Sequence, residues 1–232
     1  MSITDRENEL FAEMERKTGE EMFLVRDGVA DEAAFLTAPR RIVYVLKETN
    51  DTERKEKWDL RKFLSDGGRP QTWDAIARWT EGLLSPEREI PWVELIQRNE
   101  ERRSIFLKRI SAINLKKTPG GCTSDYAEIE REASAFSEII RKQLALYDAE
   151  LIICCGTGDV LYRHLHGTED EKWKMTARGV PYFAYGKSTV ISFAHPQARV
   201  SGAYLYYALM DAVREIRESR KIDMHFTGGN HI

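Results

Sequence analysis

Four short apolar runs, separated by segments with helical periodicity, constrain the fold of this chain more than any other feature. The first run spans Ile42–Leu46 and the second Ile110–Leu115, and "LIICC" and "STVISFA" provide the third and fourth. A strand that is apolar on both faces is typical of a parallel sheet buried between helices. The alternation of strands and helices therefore predicts an α/β fold with a parallel sheet and helices on both faces.

The helical segments have recognisable ends. Thr4, with Glu7 three residues later, forms a capping-box pattern that predicts a first helix over about residues 4–18. The segments "TWDAIARWTEGLL" and "GAYLYYALMDAVREIRESR" predict two more helices, and residues 223–232 are expected to form a loose tail.

The clearest helical stripe lies in "SDYAEIEREASAFSEIIRKQLALY", where Ser124 or Asp125 can cap the helix. Its apolar positions are Tyr126, Ile129, Ala133, Phe136, Ile140, Leu144 and Tyr147. Their spacing predicts one continuous helix with one buried face.

Composition fits a single globular domain over residues 1–232. The chain is 42% hydrophobic and 31% charged, and its net charge of −3 neither supports nor excludes a nucleic-acid partner. Three cysteines are too few for a disulfide framework or a four-thiolate metal site, and we expect Cys154 and Cys155 in the core. No secretory leader or membrane-length apolar run is evident, so we expect a monomeric cytoplasmic protein that does not contact a membrane.

Ligands bind open α/β sheets beyond the carboxyl ends of the strands, and this rule selects the candidate site residues. The selected segments are Lys47–Asp51, Asn114–Lys117, Gly156–Asp159 and His195–Arg199.

Each segment has two interpretations from the residues alone. "LKETND" either orients a water or polar substrate, or is a polar strand end with an Asx-turn at Asn50. Asn114 either reads the edge of a planar ligand or is a core amide with its hydrogen bonds satisfied. His195 is either a catalytic group or the end of a strand.

Two other segments resemble cofactor-binding or metal-binding motifs but lack the residues that such sites need, so no cofactor is expected. "GTGD" has Leu161 where a dinucleotide loop needs its third glycine, and no lysine follows as in a phosphate-binding loop. His164 and His166 lie two residues apart, a spacing that directs them to different faces of a helix, so no metal site is expected.

The order of the strand-end motifs resembles the uracil-DNA glycosylase superfamily. The corresponding stretches are "VYVLKETND", "ISAINLKK", "LIICCG" and "ISFAHPQARVSG", which together span residues 42–202. The resemblance implies a three-layer α/β/α fold with a central four-stranded parallel sheet. It also implies a hydrolase that removes a deaminated or mismatched base from single- or double-stranded DNA during repair. The first motif lacks the glycine and the proline of the Gly-Gln-Asp-Pro pattern.

The resemblance assigns roles to residues of this chain. His195 would stabilise the departing base, and the water-positioning group would be Glu48, Thr49, Asn50 or Asp51. The base would be held by Asn114 and stacked on Trp58 or Phe63, and DNA phosphates by Lys116, Lys117, Arg199 and Ser201. The alternatives are a non-catalytic relative that binds nucleic acid or a nucleobase, and an unrelated α/β enzyme acting on a small molecule.

Overall fold

The computed structural model describes residues 1–18, 23–50, 58–165 and 172–227, and side chains as far as residue 219. The strands are β1 (Gly28–Val29), β2 (Ile42–Leu46), β3 (Ser111–Asn114), β4 (Leu151–Cys155), β5 (Lys174–Met175), β6 (Pro181–Tyr185) and β7 (Ser188–Phe193). The helices are α1 (Ile3–Thr18), α2 (Glu32–Leu36), α3 (Leu60–Ser65), α4 (Pro70–Leu84), α5 (Trp92–Leu95), α6 (Asn99–Phe106), α7 (Tyr126–Ala135), α8 (Ser137–Tyr147), α9 (Gly158–Leu165) and α10 (Gly202–Thr227).

The described strands form one mixed seven-stranded sheet in the order β1-β3-β2-β4-β7-β6-β5. The neighbours β3 and β2, β2 and β4, and β4 and β7 pair in parallel, whereas β1, β6 and β5 join antiparallel. The expected parallel strands are therefore present as β3, β2, β4 and β7, but the sheet is larger than expected, because three antiparallel strands extend it. β1 and β5 have two residues each, too short for a periodic signal. β6 begins with a proline and has one fully buried side chain, Phe183.

Helices cover both faces of this sheet. Along β2, Ile42, Tyr44 and Leu46 enter a cluster with α4 and α10, whereas Val43 and Val45 enter a second cluster with α1, α7, α8 and α9. Successive strand side chains point to opposite faces, so a central strand between two helical layers must be apolar throughout. All five side chains of β2 are buried, which explains its uninterrupted apolar run.

The predicted continuous helix over residues 124–147 is instead two helices. Phe136, with φ −107° and ψ 13°, separates α7 from α8. α7 packs against α9, whereas α8 packs mainly against α1. Tertiary packing thus overrides the local periodicity. Asp125 is the cap, and its side chain accepts the Ala127 N–H at 2.8 Å.

The predicted capping pair at the start of α1 is also wrong. Ser2 and Asp5 exchange the reciprocal bonds: each backbone N–H donates to the other's side chain, at 3.1 and 3.0 Å. The Glu32 carboxylate accepts the N–H groups at the first turn of the helix. Glu7 is free of the capping role and is buried in the core.

The closing helix α10 continues to Thr227, past residue 223, where the sequence predicted the tail to begin. Residues 228–232 of that tail lie outside the described residues. Cys154 and Cys155 are fully buried, as predicted, and burial raises the pKa of Cys154 to about 12, so its thiol stays protonated. Within the described ranges, no helix has the length and apolar character needed to cross a membrane.

Candidate functional site

The carboxyl ends of the parallel strands bring the selected segments to one edge of the sheet. Beyond β2 and β3, the Lys116 N–H donates to the Lys47 carbonyl at 2.9 Å. Beyond β4 and β7, the Gly156 N–H donates to the Phe193 carbonyl at 2.8 Å. The backbone ladder therefore holds these strand ends side by side, and His195 follows Phe193 by two residues.

The ring of His195 is fixed by its own turn. Its Nδ1 accepts the backbone N–H of Gln197 at 3.1 Å, and its carbonyl accepts the Ala198 N–H at 2.8 Å. Pro196 between them is buried. Because Nδ1 accepts a hydrogen bond, the proton of the neutral imidazole resides on Nε2. His195 is therefore preset as a hydrogen-bond donor through Nε2.

His195 also has an environment that favours its neutral form. Burial, followed by the positive charge of Lys47, lowers the pKa of His195 from its usual value of 6.5. Gly156 separates the two side chains: a Cβ at this position would lie 3.4 Å from Lys47 Cε and 3.7 Å from His195 Cβ. Its φ of +71° is one that glycine adopts without strain.

Lys47 is held by an aromatic ring that the sequence placed in the core. Its Nζ lies 4.5 Å from the ring centroid of Tyr126, a cation–π contact, and the Tyr126 hydroxyl donates to the Gly156 carbonyl at 3.5 Å. Tyr126 is 53% exposed, so the prediction that it belongs to the buried stripe is wrong. It begins α7 and overhangs the strand ends, a position that helical periodicity does not distinguish from the core.

Two of the sequence-selected residues meet at this edge. The amide Nδ2 of Asn114 donates to Oγ1 of Thr49 at 3.3 Å. The backbone N–H of Asn114 donates to Asp27 Oδ2 at 2.8 Å, and Asn114 is almost fully buried. Thr49 thus holds the side-chain amide of Asn114, and Asp27 holds its backbone. Asp27 was missed by sequence reasoning, because it precedes a strand of only two residues.

Glu48 lies in an ion pair rather than free in the site. Its Oε2 accepts from Lys116 Nζ at 2.6 Å, and Lys116 also contacts Glu128 at 3.0 Å. The Glu48 side chain is 4% exposed, and Oε1 finds no hydrogen-bond partner among the described residues. A Cβ at Gly120 would lie 2.0 Å from Oε2, so the carboxylate packs directly against the backbone of this glycine. Lys116 is buried and engaged by two carboxylates, which opposes its predicted phosphate contact.

The structure contradicts the predicted phosphate contact of Lys117. This side chain is fully buried, and its Nζ donates to both carboxylate oxygens of Asp27 at 2.8 Å and to Gln143 Oε1 at 2.9 Å. A charge this deep requires such partners, and it cannot reach a DNA strand from there. The partners lie far away in the sequence, so the motif "NLKK" gives no sign of them.

The remaining candidates lie at the margin of this edge or away from it. Arg199 and Ser201 are exposed, and Ser201 directly precedes α10. Asn50 is exposed and bridges to Gly120, whereas Asp51 lies outside the described residues.

The candidate stacking rings pack with other aromatic rings. The centroids of Trp58 and Phe63 are 5.0 Å apart, and Phe63 lies 6.4 Å from Trp73. Both are partly buried against the cluster that contains α4. Stacking on a base stays a prediction for both.

The "GTGD" segment makes a tight contact between a helix and a strand. α9 begins at Gly158, and a Cβ there would lie 2.2 Å from Ser192 Oγ in β7. Thr157 Oγ1 donates to the Val45 carbonyl at 2.8 Å. The glycine thus allows the helix to approach the sheet. Within the described ranges, no three His, Cys, Asp or Glu side chains are grouped so that they could hold a metal ion.

Comparison with known proteins adds no name to this site: no protein-family model matches the chain, and no curated protein matches it significantly.

Proposed function

We propose that this chain is a uracil-DNA-glycosylase-like protein that accepts an extruded nucleobase at the carboxyl edge of the sheet and hydrolyses its N-glycosidic bond. The observation that carries the proposal is the state of His195. Its Nδ1 accepts the Gln197 N–H, so Nε2 carries the proton, and its pKa is lowered. A neutral donor at a strand end suits the stabilisation of an anion that develops on a base carbonyl oxygen.

The proposed reaction breaks the bond between the sugar C1′ and the base nitrogen. The bonding electron pair leaves with the base, whose carbonyl oxygen receives a hydrogen bond from Nε2 of His195. The positive charge of Lys47, which already acts on His195, also favours an anionic base. The sugar becomes oxocarbenium-like, and a water adds at C1′. The proton that this water loses passes to the departed base, so the products are a sugar hydroxyl and a neutral base.

Asn114 and Glu48 supply the remaining functions in this proposal. The Asn114 side-chain amide, oriented by Thr49 on a backbone that Asp27 holds, presents hydrogen-bonding groups to the edge of the base. Glu48 Oε1 is buried and without a partner in the described structure, so it can accept a hydrogen bond from the attacking water. Arg199 and Ser201, both exposed beside His195, are the candidates for phosphate contacts.

An abasic-site assay tests the proposal. Single- and double-stranded oligonucleotides carrying uracil, hypoxanthine, xanthine or a mismatched thymine are incubated with the protein, then cleaved with alkali. We expect abasic sites from at least one substrate. His195→Ala should slow their formation roughly 100-fold, the usual effect of losing one such donor.

His164→Ala is the matched control. His164 lies near the carboxyl end of α9 and pairs with Glu130 of α7, not with a residue of the candidate site. This variant should retain the wild-type rate. Absence of abasic sites from every substrate, or equal rates for both histidine variants, would overturn the proposed hydrolysis.

The engagement of Glu48 favours a second candidate, a non-catalytic protein that binds a nucleobase at the same edge. Its Oε2 is held by Lys116, and the first motif lacks the Gly-Gln-Asp-Pro pattern. If this candidate is correct, the fluorescence anisotropy of a labelled, uracil-containing oligonucleotide rises when the protein is added, but its N-glycosidic bond is not cleaved. Asn114→Ala should then weaken binding without any change in products.

A further inference from the structure

A cavity lies at the opposite end of the sheet from His195. It occupies about 430 Å³ between the carboxyl end of α4 and the part of α10 from Tyr206 to Arg217. Arg40 lines the cavity and lies two residues before β2 begins, whereas His195 lies two residues after β7 ends. Because β2 and β7 run in the same direction, the two residues are at opposite ends of the strands. The volume is within the usual range for pockets that bind small organic molecules.

Five arginines and two acidic side chains, Glu89 and Asp211, line this cavity. The arginines are Arg40, Arg88, Arg178, Arg214 and Arg217. Three of them are paired with acids beside the cavity: Arg88 with Glu94, and Arg178 and Arg214 with Asp211. The positive charge that is available to an anionic ligand is therefore that of Arg40 and Arg217.

Arg40 and Arg217 both line the cavity, and their positive charges repel each other. The Arg40 side chain is 14% exposed, and burial together with the charge of Arg217 lowers its pKa. Arg40 donates to the Leu83 carbonyl at 3.1 Å. Its nearest acid, Glu150, is 3.5 Å away, and that of Arg217, Glu87, is 3.8 Å away.

Both acids are exposed to solvent, and their contacts with the arginines are long for ion pairs. The two like charges are therefore held near each other with weak neutralisation. An anion between the two guanidinium groups would relieve their repulsion, and guanidinium matches phosphate and carboxylate in geometry.

The rest of the wall is aromatic and apolar. The Tyr207 hydroxyl donates to the Ile90 carbonyl at 3.1 Å, which fixes the ring in place. Tyr206 packs edge-on against it, with the centroids 5.1 Å apart, and Met210 lies beside them. A fixed ring and a polarisable thioether form a surface suited to a planar ring.

We propose that this cavity binds a small organic anion with a planar ring, of nucleoside monophosphate size, whose phosphate or carboxylate lies between Arg40 and Arg217. This site is separate from the carboxyl edge. A nucleotide and an aromatic carboxylate share this chemistry, and titration with one compound of each class distinguishes them.

Isothermal titration calorimetry tests the proposal with four probes: uridine 5′-monophosphate, uridine, benzoate and inorganic phosphate. We expect the nucleotide or benzoate to bind, and uridine and inorganic phosphate to bind at least tenfold more weakly. Arg217→Gln should weaken the tighter probe at least fivefold. Because the Arg217 side chain is partly exposed and loosely paired, its removal should leave the melting temperature within a few degrees.

Arg163→Gln is the matched control, since it removes the same charge from an exposed arginine that pairs with Glu130 and does not line the cavity. It should leave binding unchanged, as should His195→Ala, which separates this site from the proposed nucleobase site. No binding of the nucleotide or benzoate at millimolar concentration would overturn the proposal. Equal affinity for inorganic phosphate, or equal losses in the two arginine variants, would also overturn it.

Discussion

The ammonium group of Lys117 lies 2.8 Å from both carboxylate oxygens of Asp27, with neither side chain exposed to solvent. This pair joins the segment before β1 to the segment after β3, and Asp27 also accepts the N–H of Asn114. This buried ion pair therefore helps to fix the backbone of Asn114 in the candidate site.

Lys117→Met should lower the free energy of unfolding by about 3–5 kcal/mol, because it leaves the Asp27 carboxylate buried without a counter-charge. Urea denaturation measures the change. The double variant Lys117→Met, Asp27→Asn should recover part of the loss, since both charges are then absent. Lys142→Met, at an exposed lysine, is the control and should cost less than about 1 kcal/mol. A cost for Lys117→Met no larger than this would contradict the structural role.

The pKa of His195, measured by NMR titration of its ring protons, should fall below the usual 6.5, because burial and the Lys47 charge both disfavour the imidazolium. Lys47→Met should raise this pKa partway towards 6.5, and Lys142→Met should not change it. The sign for stability follows from linkage: the unfolded chain binds the proton more readily, so the contribution of His195 to stability is lost as the pH falls below about 6.5. A pKa at or above 6.5 in the wild type would contradict the proposed neutral donor.

Gly120→Ala should displace the Glu48 carboxylate, since the new Cβ would lie 2.0 Å from Oε2. We expect a loss of about 1–3 kcal/mol in the free energy of unfolding, typical of overpacking. The same substitution in a Glu48→Ala background should cost much less, because the clashing group is gone. A double-mutant cycle measures this coupling, and additive losses would show that Gly120 and Glu48 do not meet.

Glu7 should make stability decrease as the pH rises. Burial raises its pKa to about 7, against the donors Val29 N–H, Arg61 and Tyr147. The unfolded chain ionises near 4.5, so between pH 4.5 and about 7 unfolding releases a proton. Relative to Glu7→Gln, the free energy of unfolding of the wild type should fall by on the order of 3 kcal/mol as the pH rises across that window, and should not change further above it. Urea denaturation at several pH values tests this, and a difference independent of pH would contradict it.

Much of the sheet could be predicted because its central strands are buried on both faces. The all-apolar run Ile42–Leu46 is β2 without a change of boundary, and Ile110–Leu115 differs from β3 by one residue at each end. The edge strands carry no such signal. The break at Phe136 was missed because its side chain continues the buried stripe, and only the backbone angles depart from helical values.

The candidate site was predictable where it depends on strand ends and not where it depends on distant partners. Asn114 and Thr49 are in contact because their strands are neighbours, and His195 lies at the expected end of β7. Lys117 was misassigned because its charge is neutralised by Asp27, 90 residues earlier in the chain. Nothing in the local sequence distinguishes such a lysine from one that faces solvent.

The sheet order also has a consequence for the synthesis of this chain. The central strand β2 emerges early, but its hydrogen-bonding neighbours lie at residues 111–114 and 151–155. Contacts between distant segments form late, because a long loop must close before they are gained. On the ribosome, one edge of β2 therefore waits for about half of the chain to emerge, and the other for about two thirds of it. Until then, this apolar strand depends on early helices, or on chaperones, to keep it from pairing with other nascent chains.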